Sequence, residues 1–408
     1  MQPLLFFRLS FMMFLEYFVP GFILPILSLY LKDYLGFSPL QVGLVLAMPA
    51  LVHFVVPYIT ANVADRYISA ERLLAILQLS AGVAMLVLSR QTQFMPFLIV
   101  YALYGLLFVP SFGLTNTIVL HHVPSARRYF GIIRGLGTVG WVVVAWAFGY
   151  FWVRGGGDSG SRLPDALVWC GWSAIGYGLY SLTLPRSGVQ ADRGKTFTYW
   201  EAIRVFARPG LLILCGLTFL NSMVHQSYYY GISHFMRHVG FPDQQIMPAM
   251  SSGQICEVGV MAALGYLLYR LGVKRTLLVG AVAQLVRCLI FAYSTSFWLI
   301  LFGLALHGIC YACFFTAAYI YVDDHSTPKT RAGVQQLYTV AIGAGNLAGF
   351  IVAGIVRQAV TNPETSVMNY HHFWLFPAGI SLAVVAGTLV LFREEATSPQ
   401  PTHGATAP

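Results

Sequence analysis

Apolar residues run through this chain in long blocks separated by short polar interruptions. The blocks cover residues 5–31, 41–64, 73–88, 94–120, 132–153 and 166–184, and then 211–236, 248–269, 276–293, 297–322, 334–356 and 373–392. Each is near the ~20 residues that an α-helix needs to cross a ~30 Å hydrocarbon core. The pattern predicts an all-α integral membrane protein of twelve transmembrane helices in two six-helix bundles. The bundles are expected over 1–185 and 209–393, joined by a polar, basic loop at 186–208 and followed by a disordered tail at 394–408, rich in Pro, Thr and Ala. The first block is too long for a signal-peptide core, carries Glu16 and is followed by no small-residue cleavage site, so it is expected to stay in the mature protein.

Composition agrees with a bilayer as the main solvent. Hydrophobic residues make up 57% of the chain and charged ones 10%, against roughly 25% charged in soluble domains, and the mean hydropathy is +0.68. The net charge of +9 is spread between spans and forms no stripe of the kind that binds nucleic acid. It reads as topology instead. Seventeen Lys and Arg fall on the side that holds both termini and the central loop, six on the other, and Arg287 alone lies inside a span. By the positive-inside rule both termini are cytoplasmic. The six cysteines lie in or beside apolar blocks without disulfide or zinc spacing. No metal-ligand cluster, nucleophile elbow or phosphate loop is present, so an enzyme is not expected.

Polar residues inside the spans carry the functional signal, because an ionisable group at the bilayer centre costs about 2.5–3.5 kcal/mol even on a lenient scale and usually faces a wet cavity or a partner. Gln254, Glu257 and Met261 share one face of the eighth helix. Arg134, Thr138 and Trp141 share one face of the fifth, a cation, a hydroxyl and an aromatic plate; the alternative is that Arg134 snorkels to the surface. Gln226 with Tyr228, Tyr229 and Tyr230 offers an amide and ring faces, or an interfacial aromatic belt. Arg287 is read either as a structural ion pair with Glu257 or as functional. Glu16 with Tyr17, and Asn116, are cavity candidates. His53 and His225 read as satisfied interior histidines, while His307, near the middle of its span, is a candidate to titrate in the useful range.

The halves echo one another. Asp65, Arg66 and Leu73-Leu74 are matched by Tyr269, Arg270 and Leu277-Leu278, and Leu103-Tyr104-Gly105 by Leu306-His307-Gly308. The ADR at 64–66 and RLGVKR at 270–275 resemble the short basic loop motif of the major facilitator superfamily. Asp65, Arg66, Arg270 and Arg287 are accordingly structural or gating candidates, since carboxylate and guanidinium at helix ends can clamp two rocking halves.

Taken together, ADRYISAERLLA, FGLTNTI, IRGLGTVGW, QICE, VRCLIFAY and LHGICY make the chain resemble the nucleoside:proton symporter family, the bacterial nucleoside permeases of the major facilitator superfamily, over nearly its whole length. The resemblance implies a bacterial inner-membrane carrier, a monomer without cofactor, that takes up nucleosides with protons, the proton gradient being its energy source. It implies substrate contacts at Arg134, Thr138, Trp141, Gln226, Tyr229, Gln254, Glu257, His307 and Tyr311. Three positions depart from the family. Ala312 stands where an aspartate is expected, His307 where a tyrosine is, and Tyr229 where an asparagine is. Proton coupling then falls to Glu16, Glu257 or His307. The alternatives are an uncoupled nucleoside facilitator, or a carrier of the same fold for an oligosaccharide or drug, which would not need the Gln254 and Glu257 set.

Overall fold

A computed structural model of the chain describes residues 2–63, 68–123, 126–153, 162, 164–186, 199–327 and 330–394. Among them helix dominates, and the one β feature is a bridge between Thr361 and Met368. The first half holds α1 (Pro3–Gly21), α2 (Pro39–Val63), α3 (Ala70–Leu88), α4 (Phe94–Phe108 and Ser111–His122), α5 (Ala126–Trp146) and α6 (Asp165–Ser181). A short amphipathic helix, Tyr199–Phe206, leads into the second half, which opens with α7 (Pro209–His238). One 51-residue helical stretch, Asp243–Tyr293, follows. Gly272, at φ 77°, divides it into α8 (243–271) and α9 (273–293), a backbone conformation that suits a residue without Cβ. The set closes with α10 (Phe297–Asp324), α11 (Arg331–Val360) and α12 (Tyr370–Val390).

Among the described residues the twelve helices α1 to α12 therefore stand where twelve apolar blocks are read. The structure adds the interruptions. Pro20 and Gly21 end α1, and after a turn the chain resumes helix at Leu27–Leu29 and a π turn at Tyr30–Tyr34. Pro110 offsets the two parts of α4, since proline removes one ladder hydrogen bond and crowds the preceding turn. A second π turn, Ala147–Trp152, continues α5, and a third, Tyr311–Thr316, sits inside α10.

The halves meet unequally. On the side away from the termini, one apolar core runs without a break from α1, α3, α4, α5 and α6 into Tyr228, Phe235, Met247, Phe291 and Trp374 of the second half. Toward the termini the second half keeps a core of its own around Leu211, Leu277, Phe314, Tyr338 and Phe392. Polar contacts follow the same division. Ser28 Oγ donates to Tyr230 O (2.6 Å), Tyr230 Oη to Pro39 O (2.7 Å) and Trp146 Nε1 to Ser251 Oγ (3.1 Å), and Ser233 Oγ donates to Pro25 O. Arg237 bridges Asp33 of the first half (2.7 Å) and Asp243 of the second (2.6 Å). All of these lie on the far side, so among the described residues the halves are latched there and separately packed at the other end.

Asp65 and Arg66 lie outside the described residues, as do most of the 186–208 loop and the 395–408 tail. Arg270 is described. It is exposed and hydrogen-bonds Tyr266 Oη on its own helix (3.3 Å), with no contact to the first half among the described residues.

Candidate functional site

Between the halves lies a cavity of about 540 Å³, lined from the first half by α1, α2, α4 and α5 and from the second by α7, α8, α10 and α11. Arg134, Thr138 and Trp141 line it together, as their spacing on one helical face predicts. Opposite them stand Gln254 and Glu257 of α8, His307 and Tyr311 of α10, and Tyr229 of α7. Two glycines bring the α8 and α10 side chains onto one wall. Gly308 has Glu257's backbone nitrogen where a Cβ would stand, and Gly253 has His307 Cβ and Leu304 O at 2.9 Å from that position. The π turn beginning at Tyr311 follows directly, a local distortion often found at functional sites.

The two buried acids differ in company. Glu16 is fully buried outside the cavity and accepts hydrogen bonds from Ser111 Oγ (2.6 Å) and Tyr177 Oη (2.8 Å). Glu257 lines the cavity and has neither a hydrogen bond nor an ion pair among the described residues. Arg134 is the cation that acts on both electrostatically, and its guanidinium lies over the Tyr17 ring at 4.3 Å. Gln254 Oε1 is buried without a partner among the described residues, an orphan of the kind that a bound solute satisfies. The wall thus offers an acid, an amide, a cation and flat rings to whatever enters.

Other placements differ from expectation. Gln226 is absent from the lining and donates to Asn346 Oδ1 (2.8 Å), which ties α7 to α11. Arg287 does not pair with Glu257: its Nη1 meets His307 Nδ1 at 2.9 Å, its Nη2 donates to Gln284 Oε1 at 2.9 Å and its guanidinium lies over Tyr228 at 4.2 Å. The three successive tyrosines therefore part company, Tyr228 under the arginine, Tyr229 in the cavity and Tyr230 bridging to α2. Tyr17 and Asn116 do line the cavity. His53 and His225, read as satisfied interior histidines, line it as well, and His225 Nδ1 has no partner among the described residues. Thr339 of α11 also lines it, a position not among the candidates read from the sequence. The six cysteines are free thiols.

Two six-helix halves around a central polar cavity, latched on one side, define a carrier of the major facilitator fold. The profile described as nucleoside H+ symporter matches residues 4–397, and the chain belongs to that family. It is 29% identical to the putative nucleoside transporter YegT of Escherichia coli, over 95% of this chain and 93% of that one. It is 26% identical to the xanthosine permease of the same organism, over 92% and 93%. The crystal structure of the nucleoside transporter NupG superposes with a TM-score of 0.84, covering 97% of this chain and all of that one at 22% identity, and shows a shared fold. That of a D-xylose-proton symporter gives 0.74 at 11% identity, again a likeness of fold.

Proposed function

We propose that this chain is a monomeric carrier of the bacterial cytoplasmic membrane, both termini inside, that imports nucleosides in symport with protons. The halves at 1–185 and 209–393 rock about the central cavity, opening it to one side and then the other. The far-side latch and the separate cores toward the termini support an inward-facing state of that cycle. The observation that carries the reading is Glu257. An acid with no hydrogen-bond or ion-pair partner among the described residues, on the wall of a cavity that also presents a cation, an orphan amide oxygen and aromatic rings, suits a solute with hydroxyl donors and a flat base. Glu257 accepts from the ribose hydroxyls, Arg134, Thr138 and Gln254 complete the polar set, and Trp141 and Tyr311 stack the base.

For coupling, the geometry favours Glu257 over the other two candidates. Glu16 is wrapped by its own bundle, and the Nδ1 lone pair that a proton would need on His307 is engaged by Arg287. Glu257 therefore holds the proton and the solute in turn or together, replacing the aspartate whose position is Ala312. No cofactor takes part; the proton gradient supplies the work.

The test is uptake of labelled uridine into proteoliposomes under an imposed proton gradient, with and without an uncoupler. Saturable uptake that collapses with the gradient is expected. Uptake indifferent to the uncoupler would make the chain a facilitator, and no uptake of any nucleoside would make the solute wrong.

A further inference from the structure

On the reading that the cavity holds a nucleoside, we propose that His307 is an obligate hydrogen-bond donor to the base, held so by Arg287. The chain would then select oxo-bearing bases over amino-bearing ones. A guanidinium has five N–H donors and no acceptor. Its Nη1 lies 2.9 Å from His307 Nδ1, so Nδ1 must be the bare nitrogen of a neutral ring, and the single ring proton sits on Nε2. Nε2 has no partner among the described residues, on a ring that lines the cavity.

Arg287 is built to hold this state. It is fully buried, its Nη2 is anchored on Gln284 Oε1, and the face of Tyr228 lies 4.2 Å from its cationic carbon. The imidazole is gripped in turn. His225 stacks on it with centroids 5.0 Å apart and planes at 27°, and Gly253 leaves room for its Cβ. Rings of Tyr229 and Tyr311 stand 5.9 Å and 6.4 Å away. A niche walled by rings fits a planar base better than a ribose, so the donor meets the base edge.

At position 4 of the pyrimidine ring and position 6 of the purine ring, where the donor is placed by this inference, uridine and inosine carry a carbonyl oxygen and cytidine and adenosine an amino group. A fixed N–H donor pairs with the first and opposes the second, leaving two donors facing each other away from water. Such mismatches weaken binding by roughly tenfold or more. Arg287 is a positioning residue in this scheme and His307 the group that touches solute.

Isothermal titration of the purified full-length protein with uridine, cytidine, inosine and adenosine tests the inference. The wild type is expected to bind the oxo member of each pair at least about tenfold more tightly than the amino member. His307→Gln, whose amide both donates and accepts, should bring the ratio near one. Arg287→Lys, still only a donor, should keep the preference that Arg287→Gln relaxes. Equal affinity for both members in the wild type would overturn the assignment without any variant having to fold, and so would a ratio unchanged in His307→Gln. Failure of all four nucleosides to bind is a separate result, and it would overturn the nucleoside reading along with this one.

Discussion

Glu16 and Glu257 are both carboxylates in the middle of apolar helices, and they occupy opposite kinds of surroundings. Around Glu16 the first half closes completely, with Ser111 of α4 and Tyr177 of α6 each donating to one of its oxygens. Around Glu257 the second half provides a wall but, among the described residues, no hydrogen bond to it, and the space in front is the cavity shared with Arg134 and Trp141. Burial alone does not separate a structural acid from a working one. The separating feature is whether the protein itself satisfies the group, since an unpartnered polar atom facing a cavity is a vacancy for a solute.

Substitutions can break or sharpen this contrast. Glu257→Gln should have the largest effect, lowering the apparent second-order rate constant for uridine uptake by about 100-fold or more, because hydrogen bonds to a charged acceptor contribute about 1.5–3 kcal/mol each; insertion and detergent stability should be unchanged. Trp141→Ala removes the plate on the first-half wall and should weaken uridine binding by roughly 5- to 100-fold in titration calorimetry, the ~1–3 kcal/mol of a base stacked on an aromatic ring. Tyr177→Phe removes one of Glu16's two donors. It should lower stability by about 1–3 kcal/mol, seen as an earlier melting transition, while changing nucleoside affinity little; a large loss of affinity would place Glu16 in the site after all. Arg237→Gln should have the smallest effect. It loosens the far-side latch with Asp33, a half-exposed pair worth roughly 0.2–1 kcal/mol. The expected result is a shift of a few-fold toward the outward-open population, read as distances between spin labels on the far ends of α1 and α7.

The helices were legible because the bilayer makes backbone satisfaction and hydropathy nearly the same question. The faces were legible too. Arg134, Thr138 and Trp141, and Gln254 with Glu257, meet as their helical spacing predicts. What periodicity cannot carry is which neighbouring helix a face meets. Gln226 sits on a promising face, yet α11 offers it Asn346. Arg287 lies one helix after Glu257 in the chain and turns instead to His307 on α10. Ser111 and Tyr177, the partners that retire Glu16 from the cavity, lie 95 and 161 residues from it. Likewise His225 looks in sequence like any interior histidine. Only the approach of α10, permitted where Gly253 and Gly308 lack side chains, stacks it on His307 at the cavity wall.

The central claim is that solute and proton meet at Glu257, and the most direct test follows both at once. Proteoliposomes carrying a lumenal pH dye, with no imposed gradient, would be given labelled uridine. The account predicts lumenal acidification in step with uridine entry for the wild type, and neither signal for Glu257→Gln. Uridine entry without proton movement in the wild type, or coupled entry that persists in Glu257→Gln, would contradict it.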